Sequence, residues 1–235
     1  MSLRGIFPID KWDFNSDSVF TNFPAKDYEE MTKHAREEKY KKGQTIFREG
    51  GFPTGIYYIL EGKVKKYKVD NFEKEQIIYV ANTGELIGYH AVLSTERYPD
   101  SATALEECII LFIPKEDFLR VLEQSPTLST RLLKMLSHEF TVLANSITIF
   151  AQRPVRERLA IALIVLREKF KKGTPEGQPI AINISREDIA SMAGTTRENV
   201  VRLLREFKDD KLIETQGRKI RVLDIKKMIA VSNYQ

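Results

Sequence analysis

The sequence predicts an α+β chain in three parts: an antiparallel β-roll, one long helix, and a C-terminal winged helix-turn-helix. Three observations carry this. Between Lys41 and Ile113, short runs rich in Ile, Val, Tyr and Phe recur at roughly ten-residue spacing and are separated by glycines. Between Thr127 and Phe150 the chain has neither Pro nor Gly. After Ser185, two helix-start signatures stand one short turn apart.

At 235 residues the chain is long enough for one large or two modest domains, at ~150 residues each. Apolar residues make up 42% and charged residues 30%, too apolar for general disorder. The densest apolar run, GFPTGIYYIL, is interrupted by Pro53 and Gly55, and nothing reaches the ~18–20 apolar residues that span a bilayer. The opening MSLRGIFPIDKWDF lacks a basic-then-apolar signal pattern, so a cytoplasmic protein without a membrane partner is expected. A single cysteine, Cys108, excludes an intrachain disulfide, a CxxC pair and an all-cysteine metal or iron–sulfur site within one chain. Charge is unevenly spread. Residues 150–235 carry 18 Lys and Arg against 11 Asp and Glu, a net of +7, whereas residues 1–149 sum to −3. A basic third suits a polyanion, although charge alone equally allows a solvated surface.

Taken in order, AKDYEEMTKHAREEKY reads as an amphipathic helix. The strands that follow are TIF, GIYYIL, KVKKYKV, QIIYV, SATAL and CIILFI, with Gly43, Gly50, Gly51, Gly62, Gly84 and Gly88 at the turns. KEDFLRVLEQS is a short helix ended before Pro126. In the long helix Leu132, Leu136, Leu143, Ile147 and Phe150 suit a coiled-coil-like seam, with Phe140 filling the gap. Such a helix reaches ~36 Å at 1.5 Å per residue and needs a partner surface, either its own roll or the same helix of a second subunit. Pro154 marks a break, and a helix from Val155 to Lys171 follows with Leu159, Ala162, Leu163 and Leu166 on one face. KKGTPEGQP is a loop and AINIS a short strand. The expected domains are 20–125 (roll), 126–153 (helix and hinge) and 154–235 (winged helix-turn-helix).

The last segment carries the chemistry. Ser185 with Asp188 resembles a capping box, Gly194 ends that helix, and Thr195 with Glu198 starts the next. In the second helix Val200, Leu203, Leu204 and Phe207 form an apolar stripe, which leaves Arg197, Glu198, Val201, Arg202 and Arg205 outward. Arginine forks onto guanine, glutamate accepts from cytosine N4, and an apolar side chain meets a thymine methyl. Thr195, Thr196 and the first free amides suit phosphates. Gly217 turns a hairpin with Arg218, Lys219 and Arg221 around it, a basic wing. The bland alternative, Glu198 and Arg202 as a surface ion pair worth ~0.3–0.5 kcal/mol, explains neither the spacing nor the wing.

From about Phe20 onward the chain resembles the cyclic-AMP receptor protein/FNR (Crp/Fnr) family of bacterial transcription regulators. The matching pieces are KKGQTIFREGGFPTGIYYILEGKVKKYK, GELIGYHAVL through SATAL, RPVRERLA and SREDIASMAGTTRENVVRLLREFKDDKLI. The resemblance implies a roll of the cyclic-nucleotide-binding jelly-roll type and a homodimer formed through the long helix. It also implies binding to a palindromic duplex and to RNA polymerase. Arg197, Glu198 and Arg202 match the base-reading positions of the receptor-protein type, which implies a TGTGA-like half-site. Val201 stands where FNR-type members carry serine. The docking geometry is that of the catabolite activator protein, a standard helix-turn-helix example.

In the effector pocket, which the resemblance places at Gly84, Glu85, Leu86, Ile87, Gly88, Tyr89, Asp100, Ser101, Leu143 and Ala144, the chain departs from nucleotide-binding members. Tyr89 replaces the ribose-gripping glutamate, Asp100-Ser101 the phosphate-holding Arg-Ser pair, and Leu143-Ala144 the adenine-facing Thr-Ser pair. An aspartate repels a phosphate. Cyclic AMP is therefore not expected; an unidentified uncharged or cationic effector still fits the backbone amides. Cys108 reads as a buried small hydrophobe, which argues against an iron–sulfur cluster. His34, His90 and His138 read as ordinary histidines, and only His90, beside Tyr89, is a candidate metal or haem ligand. Two other classes compete. A cupin-like metal enzyme needs clustered His and acidic ligands that three isolated histidines do not supply, and no Ser–His–Asp or phosphate-loop signature is present, so no catalytic residue is expected. A signalling module that does not touch DNA would leave Arg197, Glu198 and Arg202 without a role.

Overall fold

The structure is a computed structural model that describes Leu3, residues 5–175 and residues 177–234. It divides into two compact units. One comprises Phe14–Lys68 and Ile78–Thr141; the other gathers the described residues up to Asp13, Val69–Ile77 and Val142 onward.

The first unit is the roll. After the 3₁₀ turn Ser16–Val19 come α1 (Ala25–Thr32), β1 (Arg36–Tyr40), β2 (Thr45–Phe47), β3 (Gly55–Glu61), β4 (Lys63–Val69), β5 (Glu75–Asn82) and β6 (Leu86–Ile87). Then follow α2 (Tyr89–Ser94), β7 (Ser101–Ala104), β8 (Cys108–Pro114), α3 (Lys115–Gln124) and α4 (Pro126–Gln152). The strands form two four-stranded sheets, ordered β1-β8-β3-β6 and β2-β7-β4-β5. A core of Ile56, Leu86, Tyr89, Val92, Ile113 and Phe118 runs on into Leu128, Leu132 and Met135 of α4. That burial stabilises each large side chain by ~1.5–3 kcal/mol.

Two expectations are corrected here. The amphipathic pattern read as one helix ends at Thr32, and REEKY is strand β1, antiparallel to β8 with Arg36 opposite Phe112 and Tyr40 opposite Cys108. The apolar strand β8, already paired with β3, needs a second neighbour, and a charged edge strand supplies it while keeping the sheet's outer edge polar. His34 thus lies in the turn between α1 and β1, its ring 2.9 Å from the Asp117 carboxylate. Leu132, placed in the helical seam, is 2% exposed within the roll core, whereas Leu133 is 69% exposed.

The second unit contains α5 (Val155–Lys171), β9 (Ile182–Asn183), α6 (Arg186–Ala193), α7 (Arg197–Asp209), β10 (Ile213–Gln216), β11 (Lys219–Val222) and α8 (Ile225–Ser232). Pro154 precedes α5, where its fixed φ suits a helix start. Leu159, Ala162, Leu163 and Leu166 are buried as their spacing predicts, within a continuous buried run from Leu159 to Leu166. The small sheet runs β10-β11-β9, all antiparallel. Cys108 is buried, its thiol 3.4 Å from the Lys63 and Glu106 carbonyls, and burial pushes that thiol's pKa up.

Gly62, in the β3–β4 turn, has φ +95°, and an added Cβ would lie 2.6 Å from both Cys108 Sγ and the Glu107 carbonyl. Gly62→Ala should therefore cost about 3 kcal/mol, measured by urea unfolding. Gly173→Ala, at a similar φ of +97° but with nothing near its Cβ, should cost only about 1 kcal/mol.

Candidate nucleic-acid interface

The interface is built on the turn between α6 and α7. Ser185 caps α6: its Oγ accepts from the Asp188 N–H at 2.9 Å and its hydroxyl donates to the Asp188 carboxylate at 2.6 Å. The shorter Asp thus closes a variant of the capping box. Gly194 ends the helix at φ +60°, and the Thr195 N–H donates back to the Ala190 carbonyl at 3.0 Å. Beneath it lies the Phe150 ring, 3.0 Å from where a Cβ would sit. The carbonyls left free at this helix end are taken by Arg158, which donates to Ala193 O and Gly194 O at 2.9 Å each, and to Arg153 O at 2.9 Å. Arg158 lies in RPVRERLA, where sequence spacing gave it no role; a cation near a helix C-terminus was the available signal.

The second cap falls one residue later than expected. Thr196 is the N-cap of α7 and accepts from the Asn199 N–H at 3.3 Å. Thr195 is buried, and its hydroxyl oxygen accepts from the Asn199 amide at 3.1 Å. Of the two threonines placed at phosphates, only Thr196 is therefore exposed. Val200, Leu203, Leu204 and Phe207 are buried, and Arg197, Glu198, Val201, Arg202 and Arg205 are exposed, so the predicted helix face holds.

Carboxylates pair with two of the outward arginines. Arg197 Nε is 2.6 Å from Glu187, and Arg202 Nη1 is 2.5 Å from Glu206. Arg156 also binds Glu206, at 3.1 Å, and covers the Phe207 ring. Exposed pairs of this kind contribute ~0–1 kcal/mol, so exchanging them for another anion costs little. Glu198, at the positive end of α7, is held below the ordinary carboxylate range by its own backbone N–H and the Thr196 hydroxyl, aided by the charge of Arg197. It remains an acceptor at neutral pH.

In the wing, Gln216 pairs with Lys219 around Gly217 (φ +57°), and Arg218 and Lys219 are exposed. Ile220 is buried and pairs with Ile182. Arg186, another residue that sequence reading left without a role, donates to the carbonyls of Gly217 (3.0 Å) and Arg218 (3.1 Å), fastening the wing tip to the first residue of α6.

The residues assigned to an effector pocket are mostly buried in the roll. The Gly84 N–H donates to Ile59 O at 2.7 Å. Glu85 faces inward and accepts from the Tyr79 hydroxyl at 2.5 Å and the Asn82 N–H at 3.0 Å. Leu86 and Ile87 are core residues, and Gly88 (φ +80°) caps α2. Asp100 pairs with the buried Lys66 ammonium at 3.2 Å, and the Ser101 hydroxyl oxygen accepts from the Glu49 N–H at 2.9 Å. Tyr89 donates to the Glu139 carboxylate at 2.5 Å, and the His90 ring lies 3.0 Å from the same oxygen. Glu139, not singled out in the sequence, is the α4 residue hydrogen-bonded here; Leu143 and Ala144 are exposed. His90, the candidate ligand, is thus occupied by a carboxylate. Among the described residues no group of three or more His, Cys, Asp or Glu is placed to hold a metal ion.

A two-sheet roll followed by a helix-turn-helix with a β wing defines a sensor-type domain joined to a DNA-binding domain. Residues 37–125 match the family model of the cyclic nucleotide-binding domain, and residues 157–231 that of the Crp-like helix-turn-helix domain. The chain is 28% identical over 207 residues to the transcriptional activator protein anr of Pseudomonas aeruginosa, which covers 88% of this chain and 84% of that one. In fold it is similar to FixK2 from Bradyrhizobium japonicum (TM-score 0.74, 20% identity, 84% and 96% of the two chains). It is also similar to a transcriptional regulator of the CRP/FNR family from Thermus thermophilus (TM-score 0.69, 24% identity, 84% and 98%). The chain belongs to the Crp/Fnr family of transcription regulators and carries its helix-turn-helix DNA-binding domain.

Burial pushes the Glu139 carboxyl up, but the hydrogen bond and charge of His90, the charge of Lys66 and the Tyr89 hydroxyl outweigh it and hold Glu139 below the ordinary glutamate range. A folded pKa below the unfolded one stabilises the fold fully above the ordinary glutamate range. That contribution is lost as pH falls through the lower folded value. Thermal melts from pH 7 to pH 3 should show this acid-labile component in the native chain and lack it in Glu139→Gln.

Proposed function

We propose that the protein is a homodimeric, sequence-specific transcription regulator that reads a TGTGA-like palindrome. The carrying observation is the outward row of Arg197, Glu198, Val201 and Arg202 on α7, set on a capped and clamped turn. In this reading Arg197 and Arg202 give up Glu187 and Glu206 for base edges, and Glu198 accepts from a cytosine amine. Val201, 47% exposed, meets a base edge without a hydrogen bond. Thr196, Arg218 and Lys219 hold phosphates; Thr195, buried with its N–H on Ala190 and its hydroxyl oxygen on Asn199, supports the turn instead. A role on DNA places the protein in the cytoplasm, with RNA polymerase as the family-type partner and no catalytic function.

The dimer would form through α4. Leu133, Phe140 and Ile147, at 69%, 74% and 70% exposure, are spaced seven apart, and Leu136, Leu143 and Phe150 follow the interleaved heptad. This support differs from the original seam by one residue, Leu133 taking the place of the core residue Leu132. Among the described residues no helix is long and apolar enough to cross a membrane, so a protein partner is the natural cover for this stripe. Cyclic AMP does not fit: Asp100 would face its phosphate, and Tyr89 lies where the ribose acceptor is required.

Gel-shift titrations on a TGTGA palindrome and a scrambled duplex at about 150 mM salt test the DNA reading. Arg202→Ala should lose about 1–3 kcal/mol on the preferred site and relax the choice at one base. Lys219→Ala should weaken both duplexes alike. Equal affinity of the native chain for both duplexes would end the sequence-specific reading. Phe140→Asp with Ile147→Asp should leave a folded monomer in sedimentation equilibrium; an unchanged mass would end the α4 seam.

A further inference from the structure

The roll holds a buried polar group that the proposed DNA contacts of α7 and the wing do not use. Glu139, 4% exposed in its side chain, receives two hydrogen bonds at a single oxygen, from the Tyr89 hydroxyl at 2.5 Å and the His90 ring at 3.0 Å. A carboxylate only accepts, so His90 Nε2 carries the proton in this bond. The Lys66 ammonium, 4% exposed, is near enough to favour the ionised form of Glu139, and its direct partner is Asp100. The Tyr89 ring stacks on His90 at 4.0 Å, which orients both donors. The remaining charged group felt by Tyr89 is Glu85, turned inward on the Tyr79 hydroxyl. Tyr89 and His90 open α2, Lys66 lies on β4, Asp100 precedes β7, and Glu139 comes from α4.

Two aimed donors meeting at one buried carboxylate form a recognition set for the carboxylate group itself. We propose that the roll contains a carboxylate receptor, formed by Tyr89 and His90, whose resident ligand is Glu139 of the chain's own helix α4. The tether keeps this ligand at an effective concentration that a free molecule reaches only in the millimolar range or above. The site is therefore filled without a diffusible effector. The class of molecule that can take Glu139's place is a small monocarboxylate, not a nucleotide. This reading concerns the roll alone and does not depend on what α7 binds.

Chemical rescue tests it. The full-length Glu139→Ala chain is melted in sodium acetate, in sodium chloride of equal ionic strength, and in neutral acetamide of the same shape as acetate. Acetate should raise its midpoint by about 3 °C over both controls, as a ligand bound to the folded state does. The native chain, its site already filled, should show no acetate-specific rise, and adding Tyr89→Phe to Glu139→Ala should abolish it. Equal midpoints in acetate and acetamide would overturn the proposal, as would the same rise in the native chain. Should Glu139→Ala not fold in chloride, refolding yield in acetate against acetamide takes the midpoint's place: a higher yield in acetate supports the receptor, and equal yields overturn it.

Discussion

The DNA-binding surface depends on the geometry of one turn. A left-handed glycine, Gly194, lets α6 stop and α7 restart within three residues, and the Arg158 guanidinium takes up the carbonyls that this leaves free. Because a side chain at that φ is strained and a Cβ would press on Phe150, the position is fixed from two directions. With the turn set, the Thr196 cap determines where α7 begins, and hence which residues face outward. A shift of one residue would rotate the helix by about 100° and bury Arg202 where Leu203 now lies.

The parts of the fold visible in the sequence are those whose signal is local. Capping residues, the Gly194 stop and the stripe of Val200, Leu203, Leu204 and Phe207 are fixed by neighbours three or four positions away, and each was legible. REEKY was misread because its local pattern suits a helix while its conformation is set by β8, some seventy residues distant, in need of an edge partner. Leu132 was misread for a related reason. Adjacent leucines in a helix point about 100° apart, and only the surface already occupied decides which one is buried. The cap at Thr196 instead of Thr195 is a smaller instance, since both threonines offer the same oxygen and the backbone chooses between them.

Arg158, Arg186 and Glu139 share a different kind of invisibility. Each is a charged residue in a helix, and each acts on a group far away in sequence: Gly194, the wing carbonyls, and Tyr89 with His90. Periodicity marks such residues as solvated, and only the tertiary structure supplies their targets. The signals that could have found them are weak ones, an arginine near a helix end for the first two and an isolated carboxylate in an otherwise basic and apolar helix for the third.

Charged and polar groups inside the roll occur as coupled pairs. Asp100 sits 3.2 Å from Lys66 with both groups nearly excluded from water. Burying either charge alone is strongly unfavourable, and removing one member of such a pair costs ~3–5 kcal/mol. An arginine at position 100 would set two cations side by side in that interior. Tyr89 and Glu139 are tied in the same way, each holding the other in its donor or acceptor form. Lys66 with Asp100, and Tyr89 with Glu139, are thus coupled pairs, each member making sense only beside its partner. A change at Asp100 must be matched at Lys66, and a change at Tyr89 must be matched at Glu139, before a different ligand chemistry can enter.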